Sequence, residues 1–192
     1  KEASEATLLP EGCPVIATAN DKAAEGLGAG IRDDGSCLVS LGTYIGGMVR
    51  GKEYTDTSVD YWSNLSAIPH EYLYETSVGI RRGMWSVSWF KELLGEPMEE
   101  KAASLGVSVE ELLEEEAKQV APGSEGLITV GEFLAPNNMP YRKAMFIGFD
   151  GRHKRAHMYR SILEAIAMTM KINVDAMCNE LQMKPSQVIV SG

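Results

Sequence analysis

The chain reads as an α/β protein built on a mixed sheet flanked by helices. Three observations predict this. Short apolar runs bounded by glycine, proline and serine alternate with longer segments of helical spacing. Some runs double back as hairpin arms, while others are separated by a helix, which mixes the strand directions. The 192 residues are 44% hydrophobic and 23% charged, enough apolar content for one sizeable domain.

Residues 1–12 are polar and read as the remnant of a linker, with residues 13–192 as a truncated domain. No initiating methionine opens the chain, and "QVIVSG" at its end resembles a strand running into a loop. An excised piece of a longer protein is therefore expected. Val15–Thr18 reads as a buried strand, followed by a helix over Lys22–Gly30 with an Ala/Gly face. Ser36–Gly51 gives a strand, a Gly-Thr break and a second strand. His70–Ser77 alternates as a strand. Gly83–Leu94 spaces Trp85, Trp89, Phe90 and Leu93 as a helix does.

Residues 96–120 are rich in acids. Ser108 followed by Glu111 is a capping box, opening a helix with Val109, Leu112, Leu113 and Val120 inward. Its glutamates read as a solvated face. Leu127–Leu134 and Ala144–Phe149 read as strands. Lys154–Leu181 is a long helix with Ile162, Ala165, Ile166, Thr169, Ile172 and Ala176 on one stripe. "VIVSG" is the last strand.

Charge and composition exclude several classes. The net charge of −9 argues against a nucleic-acid surface. No run of 18 apolar residues exists and no charged-then-apolar leader opens the chain, so neither a membrane span nor a secretory signal is expected. Cys13, Cys37 and Cys178 are odd in number and lack metal spacing. They read as reduced thiols, pointing to a cytoplasmic protein.

"GLGAG" (Gly26–Gly30) has the wrong spacing for a dinucleotide fingerprint and falls at a helix end. P-loop and nucleophile-elbow motifs are absent. His153 and His157 stand four apart among Arg152, Lys154, Arg155 and Arg160, company that disfavours a metal. The six basic residues between Arg142 and Arg160 read first as a solvated helix start and second as an interdomain or phosphate-contacting patch.

"ATANDKAAEGLGAG" (Ala17–Gly30) sets one acid and one lysine among tiny residues. Small side chains let backbone or ligand come close. Asp21 there reads as an N-cap, a turn former or a working base. "SLGT" (Ser40–Thr43) ends a strand in bare backbone N–H groups and one hydroxyl, a turn that cradles phosphate. Together they suggest a phosphoryl-transfer site.

Four stretches, in order, resemble the FGGY family of carbohydrate kinases, in its C-terminal, nucleotide-binding domain. They are "PVIATANDKAAEGLGAG", "CLVSLGTYIGGMV", "GMWSVSWFKELLG" and "AMFIGFDGRHKRAHMYRSILE". The fourth follows the family's second signature: Ala144, Phe146 and Gly148 lead, seven residues separate Phe149 from His157, and Ser161–Glu164 close it. The likeness runs from about Gly12 to Gly192.

The resemblance implies an actin-like, ribonuclease-H-like ATPase domain and ATP-dependent phosphorylation of a sugar or polyol hydroxyl, with Mg2+. It implies that Asp21 is the general base and that Lys22 contacts the sugar. Gly42 and Thr43 are implied to hold the β- and γ-phosphates. Gly83 and Ser88 fall on the nucleotide side, and Gly192 opens the adenosine loop. It also implies a missing N-terminal domain, without which this piece is inactive, and allows a homodimer. "LAPNNMPYRKA" is shorter and more basic than the family's usual acid-containing loop, which leaves the sugar undetermined. A non-catalytic actin-like nucleotide-binding module is the alternative, and a nicotinamide oxidoreductase resting on "GLGAG" is a third reading.

Overall fold

The computed structural model describes residues 2–14 and 19–192; the expected strand at Val15–Thr18 lies outside them. Its main sheet has five strands, β1 (Ser36–Leu41), β2 (Ile45–Gly51), β3 (Tyr61–Leu65), β4 (Tyr72–Thr76) and β7 (Gln187–Ser191). They lie in the order β3-β4-β2-β1-β7. β1 runs parallel to β7, with Ser40 opposite Ser191, while the other pairs are antiparallel. β5 (Ile128–Val130) and β6 (Met145–Ile147) form a separate antiparallel pair. The sheet is mixed, as expected.

Alternation along β1 and β2 divides the core into two layers. Cys37, Ile45, Val49 and Tyr74 face a 26-residue helix, α6 (Arg155–Glu180), through its Met170, Val174 and Met177. Leu38, Met48 and Leu73 face α2 (Asp21–Gly28) through Ala23, with Ile31 just beyond the helix. Helices cover both faces, so β1 reads as a continuous apolar run rather than an alternating one. α6 lies close on β2: a Cβ on Gly47 would meet Val174 Cγ2 at 2.5 Å.

A third cluster joins the first turns of α6 to α3 (Trp85–Leu94), α4 (Glu96–Leu105) and α5 (Val109–Lys118). Phe90, Met98, Leu113, Tyr159 and Ile162 fill it. The acid-rich segment holds two helices. Gly106 takes the left-handed conformation that ends α4 (φ +70°), and Ser108 caps α5 with the expected box. Ser108 Oγ accepts from the Glu111 N–H at 3.1 Å and Glu111 Oε2 accepts from the Ser108 N–H at 2.7 Å.

Some expectations shift. A six-residue helix, α1 (Glu2–Thr7), occupies the presumed linker. The strand expected over Leu127–Leu134 stops at Val130, after which Phe133 packs on Trp85 and Trp89 with ring centroids 6.2 and 5.0 Å apart. In α3, Val87 rather than Leu93 is buried. The buried line of α6 runs Tyr159, Ile162, Ile166, Met170, Val174, Met177. Thr169 and Ile172 lie outside the core, Ile172 being 67% exposed. Both stripes share Ile162 and Ile166; they diverge because the helix changes partner midway, from the helical cluster to the sheet.

Candidate functional site

The turn between β1 and β2 is three residues long, Gly42 to Tyr44. Its carbonyls are taken up by the start of α3. The Met84 N–H donates to Gly42 O at 3.2 Å and the Gly83 N–H to Thr43 O at 2.7 Å. In a trans peptide the N–H points opposite to its C=O. The N–H groups of Thr43 and Tyr44 therefore turn away from α3, and Thr43 is exposed. That is the bare amide edge a phosphate needs.

Gly83 itself is buried. A Cβ there would meet Ile45 Cδ1 at 2.2 Å, so packing requires glycine. Ser88, one turn into α3, is exposed. Gly192 follows β7 beside the same turn; a Cβ on it would lie 2.3 Å from Leu41 O. Gly42, Thr43, Gly83 and Gly192 thus gather at one end of the sheet, with Ser88 on the helix that starts there.

α2 brings Asp21 to the same end. Asn20 is the N-cap, its Oδ1 accepting from the Ala23 N–H at 2.7 Å. Asp21 is the first helical residue, exposed, with Oδ1 accepting from the Lys22 N–H at 2.9 Å. The capping role therefore belongs to its neighbour and leaves the Asp21 carboxylate facing solvent. Lys22 Nζ turns toward the sheet, donating to Ser40 Oγ at 2.6 Å and Glu25 Oε2 at 2.8 Å. Ser40 is two residues from Gly42.

Two carboxylates missed in the sequence lie here. Glu25 accepts from Lys22, Ser40 and Ser191. Burial pushes its carboxyl up, but the bonds from Lys22, Ser191 and Ser40 outweigh this and hold it below 4.5. Glu75, on β4, is buried and accepts from Asn64 Nδ2 at 2.8 Å and Trp62 Nε1 at 3.3 Å. Burial raises its pKa, the charge of Asp21 adding to the rise and Lys22 opposing it. The available signals were the Lys22–Glu25 spacing and an acid on the core face of a strand.

A cleft of about 1100 Å3 opens between the segment before α3, the 131–142 loop and α6. Tyr44, Ser86, Phe133 and Ile172 line it, but none of the seven expected site residues does. The expected residues gather at the strand ends instead, with Gly83 buried behind the turn.

The other motifs are structural. "GLGAG" closes α2, with the Gly30 N–H donating to Leu27 O, so it does not open a helix onto a dinucleotide. His153 Nδ1 accepts from the Asp150 N–H at 2.9 Å and His157 Nδ1 from the Lys154 N–H at 3.1 Å. No cluster of three or more His, Cys, Asp or Glu able to hold a metal exists among the described residues. Arg142 pairs with Glu132, Arg152 with Asp150, Arg155 with Glu116 and Arg160 with Glu164, leaving little of the basic patch uncompensated. No helix among the described residues is long and apolar enough to cross a membrane.

The fourth motif builds scaffold. Gly148 has φ +98°, and a Cβ there would lie 2.5 Å from Gly126 O. Glu164 Oε1 accepts from the Gly123 N–H at 3.0 Å and Oε2 from the Ser124 hydroxyl at 3.2 Å. The hydroxyls of Ser161 and Thr129 meet at 2.6 Å. These contacts lock the β5–β6 pair onto α6.

Comparison with known proteins identifies relatives of this chain. The uncharacterized sugar kinase YgcE of Escherichia coli K12 is 45% identical over 191 residues, covering 100% of this chain and 39% of that protein. A xylulose kinase of Lactococcus lactis is 31% identical, covering 100% and 36%. The crystal structure of xylulose kinase from Rhodospirillum rubrum superposes with a TM-score of 0.78 at 26% identity, covering 100% of this chain and 37% of that one. The chain thus spans less than two-fifths of these proteins. The fold is that of the actin-like ATPases. With residues 37–192 matching its C-terminal domain, the chain belongs to the FGGY family of carbohydrate kinases.

Proposed function

We propose that this chain is the nucleotide-binding half of an ATP-dependent kinase acting on a sugar or polyol hydroxyl. The observation that carries the reading is the gathering of Gly42, Thr43, Gly83, Gly192 and the Asp21 end of α2 at one end of the main sheet. The family match supports it. The Asp21 carboxylate takes the proton of the attacking hydroxyl, whose oxygen bonds the γ-phosphorus as ADP leaves. A single exposed carboxylate suffices, because phosphoryl transfer depends on positioning and charge stabilisation more than on a strong base.

Thr43 and Tyr44 N–H groups, with the Thr43 hydroxyl, receive the β- and γ-phosphates. Gly83 braces that turn from behind. Ser88 lies on the nucleotide side, and Gly192 gives the adenosine strand its close approach. Lys22, beside the base, contacts the sugar or its incoming phosphate. When bound with the nucleotide, Mg2+ would neutralise charge on the phosphates that the Gly42–Thr43 turn receives. An N-terminal domain of the same protein supplies the opposing wall, so the 192 residues alone have no kinase activity.

The test is Asp21→Asn in the full-length protein, with a panel of ketoses, aldonates and polyols and a coupled assay for ADP. Turnover is expected to fall about 100-fold or more, with nucleotide affinity retained. Undiminished turnover would refute the assignment. A non-catalytic nucleotide-binding module would show no sugar-dependent turnover before the substitution.

A further inference from the structure

Four polar side chains meet where α2 crosses the ends of β1 and β7. Lys22 Nζ, Ser40 Oγ and Glu25 Oε2 form a closed triangle with sides of 2.6, 2.8 and 2.9 Å. The Ser191 hydroxyl donates to the other oxygen, Glu25 Oε1. Ser40 and Ser191 face each other across the parallel β1–β7 pair. One carboxylate therefore bridges two adjacent strands at their last shared rung. Two residues beyond Ser40 comes Gly42; the residue after Ser191 is Gly192. One helical turn before Glu25 is Asp21.

The apolar contact of α2 with the sheet is made through small groups. Ala23 is buried, and a Cβ on Gly26 would reach Leu73 at an ordinary 3.5 Å. Small side chains bring a helix close but form shallow ridges, which do little to fix its position along its axis. Directional hydrogen bonds to a charged group do fix it. Lys22 and Glu25 are each about a quarter exposed and neutralise each other, so no uncompensated negative charge stands beside the phosphate turn.

We propose that Glu25 is a positioning residue for phosphoryl transfer. Through Lys22, Ser40 and Ser191 it holds the Asp21 end of α2 in register with the two strand ends that carry Gly42–Thr43 and Gly192. This rests on the kinase reading above. Misplacing a reacting group by 1 Å can lower a rate about 100-fold, so a device that fixes the helix along its axis acts on turnover more than on folding.

The experiment uses the full-length kinase with its best substrate from the panel. Glu25→Gln keeps the volume and removes the charge; Ser191→Ala removes one bond and leaves Glu25 and Lys22 paired. Glu25→Gln is expected to lower kcat about 10-fold or more and Ser191→Ala about 3-fold, with the sugar KM within twofold and the melting temperature within about 2 °C of the parent. Glu25→Asp is expected to restore part of the kcat. Ser191→Ala combined with Glu25→Gln should lose no more than Glu25→Gln alone, because the groups act as one unit. Parental kcat in Glu25→Gln would overturn the proposal, as would additive losses. So would a kcat loss that follows a lowered melting temperature and recovers on cooling. Asp21→Asn is run alongside. If it loses turnover while Glu25→Gln does not, positioning alone fails; if it keeps turnover, the base assignment fails and this inference with it.

Discussion

Replacing Gly83 by alanine adds a methyl group to a space Ile45 already fills. The new Cβ would meet Ile45 Cδ1 at 2.2 Å, Cγ1 at 2.3 Å and Cβ at 3.3 Å. Carbon atoms settle about 3.5–4.0 Å apart, so something must move by more than an ångström. Ile45 is fully buried, and its N–H and C=O are both bonded to Ile80, at 3.0 and 2.9 Å. The yielding part is therefore the start of α3, whose Gly83 and Met84 N–H groups hold the Gly42–Thr43 turn. Overpacking of this kind costs about 1–3 kcal/mol, and a strained hydrogen bond to Thr43 adds about 1 kcal/mol. A total of about 2–4 kcal/mol corresponds to a fall of about 4–16 °C in melting temperature for a domain of this size. Thermal melting of full-length Gly83→Ala, with the KM for ATP measured at a temperature where it stays folded, tests both halves. The expected result is a lowered melting temperature together with a raised KM. An unchanged melting temperature with only the KM raised would mean that the glycine serves the nucleotide alone, and the packing argument would fail.

Burial pushes the Cys37 thiol up to about 12, with nearby Cys178, itself raised by burial, adding to the effect. At pH 8 the thiolate fraction of Cys37 is about one in ten thousand. Peptide-resolved maleimide labelling should therefore modify exposed Cys13 at once, and Cys37 and Cys178 only after unfolding; early labelling of Cys37 would contradict the packing of β1 against α6. Glu116 is held at about 2 by the Arg155 guanidinium, with Lys101 adding a second bond. A carboxyl depressed from 4.5 to about 2 gives stability that is present above pH 4.5 and lost as pH falls toward 2. Glu116→Gln should melt below the parent at pH 6 and converge with it near pH 2–3, and a gap that stays constant with pH would show that the ion pair does not contribute.

Much of the sheet was legible because β1, β2, β4 and β7 are short apolar runs with turn residues at their ends. β3 was not. "YWSNL" lies at the sheet edge with every side chain at least partly exposed, so its sequence carries neither an apolar run nor a clean alternation. The misplaced stripe of α6 has a different cause: a hydrophobic pattern reports one facing surface, whereas this helix meets two in succession. Asp21 stood out as an acid among glycine and alanine, and Asn20 beside it then took the capping role. Glu25 did not stand out, because its meaning lies in Ser40, 15 residues away, and Ser191, 166 residues away. Glu75 gains its burial only when β3 supplies Trp62 and Asn64 across the ladder.

The stretch that most specifically resembles the family does little at the proposed reaction centre. Gly148 avoids Gly126 O, Glu164 clamps the Gly123–Ser124 turn, His157 accepts from the N-cap amide of Lys154 before α6, and Ser161 meets Thr129. Each requirement is set by backbone geometry within this domain and involves no acceptor group. A family resemblance resting on such residues therefore carries fold and reaction class together and leaves the acceptor open. Two charged segments lie outside this stretch. These are the charged pair Lys22–Glu25 after the proposed base, Asp21, and the 135–143 loop, held by the Arg81 guanidinium on Ala135 O at 3.0 Å and by the Arg142–Glu132 pair. If substrate choice resides in this half of the protein, exchanging those two segments with a relative's should move specificity, whereas exchanging the Ala144–Glu164 stretch should move only stability.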